Sequence, residues 1–186
     1  MSSNVSMVTG QQILFNLSGS YSPAALNNLE LGTATDVALD LTDVAAGAAE
    51  GSAKADLTAT WAPQYAVHAA IEFATEPVTG TAVEFYWAPS VNSTAGSGNP
   101  GYVTGTSAAY TGTPGTLAEG LAQLMLIGIM PMGADCTGTI QMGFVGVFAP
   151  PTRYGSLIVF NNTADAFHSD AVEMGVSFTP IIPQSS

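Results

Sequence analysis

The chain has 186 residues, 47% of them hydrophobic and only 9% charged, against about 25% charged in an ordinary soluble domain. Two are basic, Lys54 and Arg153, and fourteen are acidic, for a net charge of −12. This suits a single folded domain over 1–186 with a sizeable core. It excludes a disordered chain, nucleic-acid binding through a basic patch and docking on anionic lipid, and the lone cysteine, Cys136, excludes an internal disulfide framework or a cysteine-rich zinc site.

The opening MSSNVSMVTGQQILF has no basic n-region and no long apolar run, so no secretory signal is expected. Residues 1–12 are small and polar without periodicity, and 1–15 reads as an N-terminal arm running into a short strand at 13–17. Ser22-Pro23, followed by Ala24, Ala25, Leu26 and Leu29, suggests one or two helical turns. From Thr35 the pattern alternates, with Val37, Leu39 and Leu41 on one face and Asp36, Ala38 and Asp40 on the other, as in a half-buried strand. Residues 45–51 read as a small-residue connection. Leu57, Ala59 and Trp61 alternate next, then Val67, Ala69, Ile71 and Phe73, then Val83, Phe85 and Trp87.

Residues 89–116 are rich in Gly, Ser, Thr, Asn and Pro, and no charge occurs between Glu84 and Glu119. A loop this long is expected to serve function or contact, an interdomain linker being the disfavoured rival. A short turn or helix is expected at 116–122 and a strand after it; the apolar stretch 121–132 is far below the ~20 residues that span a bilayer. Residues 139–149 alternate, with Ile140, Met142 and Phe144 set against Gln141, Gly143 and Val145. Residues 155–161 form another strand, and Val172, Met174, Val176 and Phe178 mark the last. Eight or nine short strands with Gly/Pro turns and at most short helical turns predict an all-β fold, an antiparallel sandwich resembling a jelly roll.

Several residues carry potential chemistry. His168 and Asp170 could hold a metal or orient a base, but a turn histidine capping backbone groups is favoured. His68 and Glu72 share a strand face, yet two ligands do not make a site. Asp36, Asp40 and Asp43 suit calcium in type but lack a binding loop. No Gly-x-Ser-x-Gly elbow or phosphate loop occurs, and nothing near Cys136 would activate its thiol. No enzyme activity, cofactor or metal is expected. Phe85 and Trp87 read as core, whereas Tyr86, Tyr102 and Tyr110 are candidate partner-interface aromatics. Arg153, the sole arginine, is expected to pair with a carboxylate, internal pairing being favoured over pairing to a partner.

A surface so poor in charge suits a protein that lies against copies of itself or against another lattice. The strings Phe85-Tyr86-Trp87-Ala88-Pro89-Ser90, Gly98-Asn99-Pro100-Gly101, Arg153-Tyr154-Gly155-Ser156-Leu157-Ile158-Val159 and Ala166-Phe167-His168-Ser169-Asp170-Ala171 resemble those of small virion proteins of tailed bacteriophages, over roughly residues 55–183. The resemblance implies a virion component. Within that class the preferred expectation is a head decoration (cement) protein, made in the host cytoplasm and located on the phage head surface. It would bind the major capsid protein or another virion protein, contact it through 1–15 and 89–116, and form a homo-oligomer, with a trimer as one candidate. A neck, tail or fibre-associated virion protein and a glycan-binding module using Tyr86, Tyr102 or Tyr110 are the alternatives. No nucleic-acid or membrane partner is expected.

Overall fold

Alternating side chains decide which face of each strand turns inward, and here the inward faces belong to two stacked sheets. The computed structural model describes residues 10–58, 61–133 and 138–181. Among them are the strands β1 (Ile13–Asn16), β2 (Thr35–Ala38), β3 (Ala49–Gly51), β4 (Ala55–Asp56), β5 (Gln64–Ile71), β6 (Ala82–Ser90), β7 (Ala108–Tyr110), β8 (Met125–Pro131), β9 (Gln141–Phe148), β10 (Tyr154–Asn162) and β11 (Gly175–Ile181). One short helix, α1 (Leu117–Leu121), and a 3-10 turn at Pro100–Tyr102 complete the regular structure.

One sheet has the order β2-β1-β11-β5-β9, the other β7-β3-β10-β6-β8, with β4 pairing on β10. Each sheet takes strands from both sides of 89–116, so that stretch is an excursion within one pair of sheets. Pairing is antiparallel except between β1 and β2, which run parallel. The all-β sandwich expected from the alternation is therefore present, with one parallel pair as a departure. Two strands go beyond those expected, the three-residue β3 and β7, while the alternation expected around Leu57 yields only the two-residue β4, Ala59 lying outside the described residues. β3 lies in the supposed connection 45–51, and the expected helical turn after Pro23 is only a hydrogen-bonded turn, Asn27 N donating to Ala24 O at 2.8 Å.

The core between the sheets is aromatic. Phe15 of β1 and Phe178 of β11 meet edge to face with centroids 5.0 Å apart. Trp87 of β6 reaches across to Phe178 at 5.6 Å and Phe148 of β9 at 5.5 Å. All are buried, and side chains of this size dominate the burial energy. Trp87 lies directly on Gly155 of β10, where a Cβ would overlap the indole ring.

Both outer faces are also covered, which alternation does not announce. Leu29, flanked by Tyr21 and Ala34, covers Leu14 and Ala70 on the five-stranded sheet. Val103, Tyr110 and Leu121 cover Ala49, Ala88 and Ile158 on the six-stranded sheet. Residues 89–116 are thus not the free loop expected from their composition. They run through the 3-10 turn and β7 into α1, whose start is closed by a capping box between Thr116 and Glu119. The near end of the excursion is held by Lys54, whose Nζ donates to Ser90 Oγ (3.0 Å) and to the carbonyls of Asn92 (3.0 Å), Thr94 (2.7 Å) and Ser97 (2.8 Å).

Candidate interaction surface

β8 ends one sheet and β9 ends the other, and the two edges close on each other. Glycine makes the closure possible. A Cβ at Gly128 would collide with the Val145 carbonyl, and one at Gly143 would lie 2.7 Å from Met130 Sδ. Each strand also carries an extra residue at this place. Ile127 has no partner between the pairs Phe85↔Gly128 and Tyr86↔Leu126, and Val145 has none between Val67↔Gly146 and His68↔Phe144. Such bulges sharpen the local twist and re-aim side chains.

Val145 and Phe148 turn into the core. Met130 of β8 is buried with them and Ile127 packs against the same core, whereas six other apolar residues turn out. Met125, Leu126 and Ile129 of β8 and Met142, Phe144 and Val147 of β9 are between 38% and 58% exposed. They are six of the eleven large hydrophobic side chains exposed among the described residues. Met142 and Phe144 do share a face, as the alternation predicts, but it is the outer face of the sheet.

The strip carries no charge. From Gly120 to Thr152 the only charged residue is Asp135, which lies outside the described residues. Polar groups stand at its margins. On one side Glu84 accepts from the Tyr86 hydroxyl and from Asn162 Nδ2 (2.7 Å). Burial, then the Glu84 carboxylate, hold the Tyr86 hydroxyl strongly protonated. On the other side the His68 ring packs against Phe144 with centroids 5.3 Å apart. An apolar centre inside a polar rim is the usual anatomy of a protein–protein contact.

The residues singled out from the sequence are dispersed. Tyr86 lies beside this strip, paired through β6 with Leu126. Tyr102 is exposed on the excursion, in the left-handed region at φ 62°. Tyr110 corrects the expectation of an exposed aromatic: it is buried, and its hydroxyl donates to Gly101 O at 2.5 Å. Its small neighbours conceal this in the sequence, because burial comes from the sheet beneath. Arg153 is paired within the chain, as favoured: its Nε and Nη2 each lie 2.7 Å from an Asp56 carboxylate oxygen. The guanidinium holds the Asp56 carboxyl below its usual range.

His168 Nδ1 accepts from the Asp170 backbone N–H at 3.0 Å, the turn role favoured from the sequence. Glu72 Oε2 is 3.9 Å from that nitrogen. Asp36 accepts from Asn16 Nδ2, Asp40 caps the Thr42 N–H, and Asp43 sits in a turn at φ 51°. Among the described residues no three His, Cys, Asp or Glu side chains are grouped to hold a metal. Cys136 lies outside the described residues, as do 1–9 of the expected arm. The rest of that arm is built in: Gln12 is buried, its Nε2 donating to Leu29 O (2.9 Å) and Thr179 Oγ1 (3.0 Å), and Ile13 begins β1, which lies between β2 and β11.

The β8–β9 strip was not singled out from the sequence. The signal available there was the long interval almost free of charge around two apolar strands. No family model, no curated protein and no solved structure matches this chain.

Proposed function

We propose that this chain is a non-enzymatic structural protein of a tailed-phage virion, and within that class a decoration protein of the outer head lattice. The observation that carries the reading is the charge-free apolar strip across β8 and β9. It gathers six exposed apolar side chains on two adjoining strands, bordered by polar groups, which is more than single surface apolar residues scattered over a monomer. The resemblance of four sequence segments to small virion proteins supports the same class. Both cations are engaged within the chain, Arg153 by Asp56 and Lys54 by four oxygens, which leaves little to bind nucleic acid or anionic substrates. A decoration protein needs stable apolar contact with neighbours and no chemistry.

Quantitative mass spectrometry of purified particles of the source phage tests the reading. A copy number close to that of the major capsid protein is expected. A small fraction of it would move the chain to the neck or tail, and absence from the particle would overturn the virion assignment.

A further inference from the structure

We propose that the occupant of the β8–β9 strip is a second copy of this chain. The inference rests on the reading of the strip as an association surface, and not on the virion assignment. It follows from where the charges are. The chain carries fourteen carboxylates, and its two cations are already engaged by partners within the chain: Arg153 is held at the surface by both oxygens of Asp56, and the Lys54 ammonium is held by Ser90 Oγ and three carbonyls. Two copies that met through their acidic faces would bring carboxylates together with no free cation to offset them.

β8 and β9 carry no charge at all. The nearest carboxylate across the β6–β8 ladder, Glu84, is occupied by the Tyr86 hydroxyl and the Asn162 amide. A basic partner would be drawn to the acidic faces and would find nothing on this strip. The body for which a neutral apolar strip is the best available contact is another acidic one, and the chain itself is such a body. A two-fold contact would use the same side chains on both sides, with Leu126 and Phe144 near its centre.

Sedimentation equilibrium of the full chain, from low to high micromolar concentration, tests this. Concentration-dependent self-association is expected. Added salt should strengthen it, because salt screens the repulsion between the acidic bodies and leaves apolar contact intact. Phe144→Asp should weaken it by about tenfold or more, since a central aromatic is replaced by a charge. Phe144→Ser with Leu126→Ser gives a milder second pair, checked for folding by circular dichroism. Val91→Asp, at an exposed apolar residue outside the strip, should leave it unchanged.

A wild-type chain that stays monomeric at high concentration and raised salt overturns the proposal. So does association that Phe144→Asp and the serine pair leave intact. The two readings fail separately: a monomer abundant in phage particles sinks only the second-copy inference, and a self-associating chain absent from particles sinks only the virion assignment.

Discussion

Gly128 of β8 lies so close to the Val145 carbonyl of β9 that no side chain fits between them. This contact closes one side of the sandwich without a hydrogen-bonded ladder, and it sets the spacing of the apolar residues on either side. Gly128→Ala forces one backbone to move. A loss of about 1–3 kcal/mol of stability is expected, in the range of other overpacked sites. Urea unfolding measures it, and an unchanged midpoint would show that the two edges are less closely held than described.

Glu50 provides a pH test. It is nine-tenths buried on β3, and burial, followed by the nearby Asp40, raises its carboxyl to about 7. The folded chain therefore holds a proton that the unfolded chain releases near the ordinary carboxylate value. Stability from this group is fully present below that ordinary value and is lost as pH rises through about 7. The loss amounts to roughly 3–4 kcal/mol at about 1.4 kcal/mol per unit. Glu50→Gln should flatten the fall between mildly acid and mildly alkaline pH, as read from urea midpoints. A slope unaltered by the substitution would assign the pH dependence to other groups.

Lys54 is a structural cation. Lys54→Met keeps the aliphatic stem and removes the charge, leaving Ser90 Oγ and three carbonyls without their shared donor. A destabilisation of about 1–3 kcal/mol is expected, the cost of polar groups left partly unsatisfied. Faster amide exchange should be confined to 92–98. Exchange that rises evenly over the whole chain would contradict a local clamp.

Tyr110→Phe separates the packing of the cap from its hydrogen bond. The ring stays in the cluster with Val103, Leu121 and Ile158, and only the bond to Gly101 O is lost. About 1 kcal/mol of stability should go with it. Thermal melts give the size, and self-association should be unchanged because Tyr110 lies on β7, at the opposite edge of the sheet from β8.

The sequence by itself determined the strands that bury one regular face. Val67, Ala69, Ile71 and Phe73 alternate strictly, as do Val83, Phe85 and Trp87, and all of these are buried where expected. The short helical turn at 116–122 and the inward-facing Phe85 and Trp87 were legible for the same reason. Their signals lie within a few residues of one another. The internal pairing of Arg153 was legible from charge alone, since a lone arginine among fourteen acids finds a carboxylate.

Only the tertiary structure decided the rest. Period two tells that a strand has an apolar face, and not whether that face meets the core: Met142 and Phe144 alternate like core residues yet point outward, because the ladder sets them opposite Ala70 and His68 of β5 and leaves the core side to Gly143 and Val145. Small residues carry no period at all, so the cap formed by 89–116 and the burial of Tyr110 depend on the sheet that lies beneath them. The apolar strip belongs to neither strand alone. It exists because two sheet edges distant in pairing order close on glycine, and that closure is a long-range steric fact which no local run of residues contains.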